Sequence, residues 1–143
     1  MKVKVRAKRV TVSQMKKKVW AAFSEYIRKR DCLETTGCAS YGLCITCGKR
    51  LHFKLLQAGH FIPGRHNNNL FSEKGTHAQC YNCNINLKGN TLEYRRKIIE
   101  LYSEGEDEEL ETQSRATRKF TVPELGELLE HYKQKIKELN DGG

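Results

Sequence analysis

The chain is poor in the residues that build a large apolar core. Of its 143 residues only 38% are hydrophobic and 8% aromatic, with a single tryptophan. Nowhere does it carry the run of about 18 apolar residues that a membrane-spanning helix needs. The first 18 residues are basic, but no apolar stretch follows them, so they do not form a secretory signal. A cytoplasmic protein of one small domain is expected, not a multi-domain enzyme. With a core this thin, something besides apolar burial is needed to hold the fold together.

Negative charge is missing from the front of the chain. Residues 1–30 carry eleven basic side chains and one acidic one, Glu25. Residues 31–97 carry nine basic and four acidic, 98–112 seven acidic and none basic, and 113–143 six against five. The net charge is +9. A basic front half is what a polyanionic partner requires, because each neutralised phosphate releases counterions. The bland alternative is a solvated arm that aids solubility.

Six cysteines stand out in a chain without an export signal. In a reducing compartment they are metal ligands rather than disulfides. Cys44-Ile-Thr-Cys47 and Cys80-Tyr-Asn-Cys83 are two C-x-x-C knuckles separated by 32 residues. Each aims two thiolates at one point, and two together complete a tetrahedral, closed, structural zinc site. Such a site supplies folding free energy. No βαβ pattern surrounds either pair, which argues against a redox motif. Cys32 and Cys38 lack knuckle spacing and read as ordinary thiols.

Periodicity divides the chain into residues 1–30, 31–103, 104–120 and 121–143. The first twelve residues alternate basic and β-branched side chains, as an arm or short edge strand. Val19, Trp20, Phe23, Tyr26 and Ile27 then mark an amphipathic helix from Ser13 to about Arg30, with Lys16 and Lys17 on its other face. Thr35 to Gly42 reads as loop, residues 44–60 as a hairpin, and Phe61 to Lys74 as loop. The second knuckle leads into helix, with a longer one after Asn90. Glu104 to Glu109 reads as a solvated break, or as a shield for the basic arm. Thr121 and Glu124 form a capping box for a final helix. Its Leu125, Leu129, Tyr132, Ile136 and Leu139 make a coiled-coil-like seam, suited to this chain or to a homodimer.

Between and around the knuckles lie His60, Arg65, His66, His77, Asn84 and Lys88. Zinc would tie the hairpin to the helix and bring His60 and Asn84 face to face, as in a ββα-metal (H-N-H) nuclease site. A neutral imidazole suits activation of water near pH 7. A divalent ion, Mg or Mn, suits polarisation of a phosphoryl oxygen, and Asn84 offers it a neutral oxygen ligand. Arg65, Lys88, Lys16 and Lys17 suit phosphate contacts. His60 and Asn84 also have plain readings, a packed histidine and a helix cap.

The stretches Ala58-Gly-His-Phe-Ile-Pro-Gly-Arg-His66, His77-Ala-Gln-Cys-Tyr-Asn-Cys-Asn84 and Lys88-Gly-Asn-Thr-Leu-Glu-Tyr94 resemble the bacteriophage NinG (Rap) recombination proteins. The resemblance runs from about Phe23 to Tyr102. The layout is also similar to phage recombination endonuclease VII. It implies an α+β fold with a small zinc-stabilised ββα-metal core and flanking helices. It also implies a metal-dependent endonuclease acting on branched DNA such as Holliday-type junctions. His60 would take the base position and Asn84 the metal-ligand position. Gly59 departs from the pattern, since the wider H-N-H family carries Asp or His there as a ligand. The replacement donor would be His77, with His66 and Glu73 behind it, or His60 itself would ligate. The alternative is a non-catalytic zinc module that binds nucleic acid or protein.

Overall fold

The computed structural model describes residues 9–63 and 67–142. Helix α1 spans Val12–Thr36. Thr11 caps it in a reciprocal box: its hydroxyl accepts from Gln14 N at 3.1 Å and its own N–H donates to Gln14 Oε1 at 3.0 Å. The helix runs past Arg30 because Asp31, a polar residue that breaks the apolar stripe, is satisfied inside the fold. It ends at Gly37, left-handed at φ 76°, whose N–H reaches Leu33 O. Thr35 and Thr36 therefore belong to the helix, not to the expected loop.

Two small antiparallel sheets follow. Strands β1 (Tyr41–Leu43) and β2 (Arg50–His52) flank the first knuckle. A 3-10 turn at Phe53–Leu55 redirects the chain into β3 (Leu56–His60), which pairs with β4 (Thr76–Cys80). The single hairpin expected over 44–60 is thus two pieces in different sheets. All five residues of β4 are buried, so β3 needs this covered partner rather than the short, half-exposed β2. Between β3 and β4, α2 (Asn67–Leu70) interrupts the expected loop. Its asparagines serve as staples: Asn69 donates to Ile62 O, Asn67 to Arg118 O and Asn68 to Ala116 O.

After β4 comes a π-helical turn, Asn82–Asn86, then α3 (Thr91–Leu101), α4 (Glu106–Ser114) and α5 (Val122–Gly142). The acidic run is not a solvated break. Four of its five acidic residues form the first turn of α4, where the helix dipole favours them. Arg95 on α3 bonds both Asp107 and Glu111, and Leu110 is buried against Phe61, Tyr94 and Ile98.

The main core lies between α1 and α5. Tyr132 packs edge-on against Phe23 at 5.0 Å and against Tyr26 at 5.6 Å. Leu125, Leu129, Ile136 and Leu139 join the same cluster. Of the two places considered for this seam, the chain's own α1 is one that it packs against. Among the described residues no helix is long and apolar enough to cross a membrane.

A buried polar pin fastens α1 to β4. Asp31 Oδ2 accepts from Ala78 N at 2.7 Å and from His77 Nδ1 at 3.1 Å, while Oδ1 takes Arg30 Nε at 2.9 Å. Burial pushes the Asp31 pKa up, but His77, Arg30 and the Ala78 N–H outweigh it, leaving the net value lowered. A depressed folded pKa adds stability above the unfolded value of about 4 and loses it as pH falls through the folded one. Asp31→Asn should cost about 3–5 kcal/mol at pH 7, because Arg30 and His77 lose their buried partner. The gap to the parent protein should shrink below about pH 4. Urea unfolding at the two pH values measures it, and a constant gap would rule out this linkage.

Candidate metal centre and cavity

The two knuckles meet. Cys44 follows β1, Cys80 closes β4 and Cys83 lies in the π-helical turn. The ligand atoms of Cys44, Cys47, Cys80 and Cys83 all lie within 4.8 Å of one another, with Cys47 and Cys80 sulfurs 3.7 Å apart. Tetrahedral ligands about 2.3 Å from zinc stand about 3.8 Å apart, so the set fits a structural metal such as zinc. Burial raises the Cys44 pKa, yet the Thr46 hydroxyl and the N–H groups of Cys80, Cys47 and Thr46 bring it down to about 6. Burial and the neighbouring Cys44 charge push Cys47 up to about 12. One thiolate forms readily and the next resists. A cation is what lets all four ionise together. Cys32 is buried and Cys38 exposed, both outside the cluster, and none of the six is in a disulfide.

The clamp positions a second set of groups. A cavity of about 590 Å³ opens between the first turns of α1, the end of β3 and the π-helical turn. Lys16, Lys17 and Trp20 line one wall, His60 and Ala58 another, and Asn84, Ile85, Lys88 and Gly89 a third. Five of the residues singled out from the sequence thus share one cavity: His60, Asn84, Lys88, Lys16 and Lys17. Arg65 and His66 lie outside the described residues, as do the first eight residues of the basic arm.

His60 ends β3 half-buried, its ring stacked on Trp20 at 5.2 Å and 29°. Its Nε2–H donates to Leu70 O at 3.0 Å. A carbonyl only accepts, so Nε2 carries a proton. Asn84 donates from Nδ2 to Gln57 Oε1 at 2.8 Å. Lys88, Gly89 and Asn90 are three successive left-handed residues that turn the chain from the knuckle into α3. The Gly89 N–H closes this turn on Cys83 O at 2.9 Å.

His77 is not part of this cavity, contrary to its expected role beside His60. Its Nδ1 faces Asp31 and Arg30, and its Nε2 faces Lys74 O and the Tyr102 hydroxyl. At 3% exposure it belongs to the pin that joins α1 to β4. Glu73, a reserve candidate, is tied instead to Tyr132 and Lys135 of α5.

Gly59 has a structural cause. A Cβ there would stand 1.9 Å from Gln79 Oε1 and 3.1 Å from Asn84 Oδ1. The Gln79 amide fills the place a side chain at residue 59 would take. Gly59→Ala should therefore destabilise the fold by roughly 1–3 kcal/mol through overpacking. Gln79→Ala in the same chain should recover much of that loss. Thermal melts of the single and double variants measure it, and additive losses would refute the clash.

Several contributors were not singled out from the sequence. Gln57 orients Asn84, Tyr94 donates to Gly59 O at 2.6 Å, and Gln79 bridges Thr46 and Gly89. Polar residues inside short, otherwise buried strands were the available signal for both glutamines.

The family profile described as Bacteriophage Lambda NinG protein matches residues 1–141. No curated protein and no solved structure matches the chain.

Proposed function

Since the chain belongs to the bacteriophage lambda NinG protein family, which is associated with phage recombination, we propose that it is a metal-dependent endonuclease of the H-N-H type acting on branched DNA. The observation that carries the reading is the single cavity that gathers His60, Asn84 and three lysines beside the four-cysteine clamp. His60 is the base for the attacking water, its ring held by Leu70 O and by Trp20. Asn84 presents Oδ1, locked by its bond to Gln57. A divalent ion such as Mg or Mn, when bound, would polarise the phosphoryl oxygen and stabilise the leaving oxygen. Lys16, Lys17 and Lys88 hold the phosphates.

Branched DNA suits the surroundings. Tyr81, Ile85 and Leu87, on or beside the turn that carries Asn84, are 56%, 48% and 51% exposed. Apolar side chains beside lysines suit bases that have left the stack, as at a junction. Purified zinc-loaded protein should cut a four-way junction with Mg or Mn and spare a linear duplex of the same sequence. Tight binding without any cutting would return the chain to a non-catalytic zinc module that binds nucleic acid.

Replacing Lys16, Lys17 and Lys88 together by alanine should lower the slope of log affinity against log salt by about two to three. Fluorescence anisotropy across a salt series reads this directly. An unchanged slope would place the phosphates elsewhere.

A further inference from the structure

Gln79 sits in the middle of β4, between the pin at His77 and the knuckle at Cys80, and its side chain is fully buried. Its Nε2 donates to Thr46 Oγ1 at 3.2 Å and to Gly89 O at 3.0 Å. The Gly89 carbonyl can only accept, so it fixes which end of the amide is nitrogen. Oε1 therefore faces Gly59, and among the described residues it has no hydrogen-bond partner. Asn84 donates its nitrogen to Gln57 Oε1, and its Oδ1 lies on the Gly59 side. Both oxygens fall within 3.1 Å of the point where a Cβ of residue 59 would stand.

Two amide oxygens, one of them fully buried and unpartnered, thus converge next to the strand residue before His60. Like dipole ends repel, and a buried oxygen without a donor calls for positive charge beside it. The donor set is neutral and made only of oxygen, which suits a hard divalent cation and not a thiophilic one. Gly59 is the residue type that leaves room for the Gln79 amide on the side where Asn84 Oδ1 lies.

We propose that Gln79 Oε1 and Asn84 Oδ1 together hold a hard divalent metal ion beside the floor of the cavity, with Gln79 as a ligand supplied from within the sheet. The use of that ion in catalysis rests on the nuclease reading, whereas its binding does not. With no carboxylate in the set, the site is weak in the free protein and tightens when a DNA phosphate adds its oxygens.

The test uses the zinc-loaded full chain and Mn²⁺, followed by the electron paramagnetic resonance signal of the free ion. One Mn²⁺ per chain is expected, bound at least tenfold more weakly in Gln79→Leu and in Asn84→Ala, and within twofold of the parent in His131→Ala, on the exposed side of α5. Zinc content and circular dichroism establish that each variant is folded. In the unmutated protein, substoichiometric Mn²⁺ should broaden the side-chain amide signals of Gln79 and Asn84 before those of Gln134 and Asn140 on α5. Unchanged Mn²⁺ affinity in a folded Gln79→Leu protein, or a Gln79 amide that stays sharp in the parent, overturns the proposal. If the protein cuts junctions but gives those results, the nuclease reading stands and this one falls. If it binds Mn²⁺ through Gln79 but cuts nothing, the reverse holds.

Discussion

His60→Ala should lower the single-turnover rate of junction cleavage by about 10²–10⁴, the usual contribution of one positioned base. Affinity for the junction should change by less than about twofold, since Lys16, Lys17 and Lys88 carry the phosphate contacts. This split separates a base from a structural histidine. His60 has a structural place in the fold as well: its Nε2–H is bonded to Leu70 O and its ring lies on Trp20. Trp20→Leu is the control, because it removes the stacking surface and keeps the imidazole. A positioning role predicts a smaller fall in rate for Trp20→Leu than for His60→Ala, with the melting temperature of each variant reported beside it. Equal cutting by His60→Ala and the parent protein would remove this residue from the chemistry.

Stripping the metal should unfold the middle of the chain and leave the helical pair at its flanks. The β1–β2 pair is three residues long and β3–β4 five, and isolated two-stranded sheets are marginal in water. The cluster around Cys44, Cys80 and Cys83 has little apolar cover beyond Leu51. Structural zinc contributes on the order of 10–16 kcal/mol, comparable to the whole stability of a typical domain. A chelator should therefore abolish junction cleavage and expose residues 38–90 to protease. Much of the far-ultraviolet helical signal should survive, because α1 and α5 pack on one another without the clamp. Cys83→Ser should behave like the chelated protein, and Cys38→Ser like the parent, with one zinc per chain. A melt unaffected by chelation, together with no bound metal, would dismiss the clamp.

What could be read from the sequence depended on whether a residue's role is local. The zinc knuckles were legible because C-x-x-C spacing is itself the geometry. The capping box at Thr121 and Glu124 was legible for the same reason. The meeting of His60 with Asn84 was expected from the knuckles, whereas Lys16 and Lys17 join them only because α1 folds over the cavity. Partners distant in sequence were not legible. Asp31 breaks the apolar stripe of α1, and only its bonds to His77 and Ala78, on β4, show why the helix continues. His77 has the residue type of a ligand, but its neighbours turn it into a fastener. The acidic run reads as solvent-exposed until Arg95 and Lys74 are seen against it. Gly59 looks like a lost ligand, and the space it vacates is filled by Gln79.

The pairing of α1 with α5 has a consequence for biosynthesis. The apolar face of α1 leaves the ribosome early, yet Leu125, Tyr132 and their neighbours, which cover it, emerge about a hundred residues later. For that interval Phe23, Tyr26 and Ile27 lack their lid, so the nascent chain is at its most vulnerable to proteases and chaperone capture before its final helix is translated.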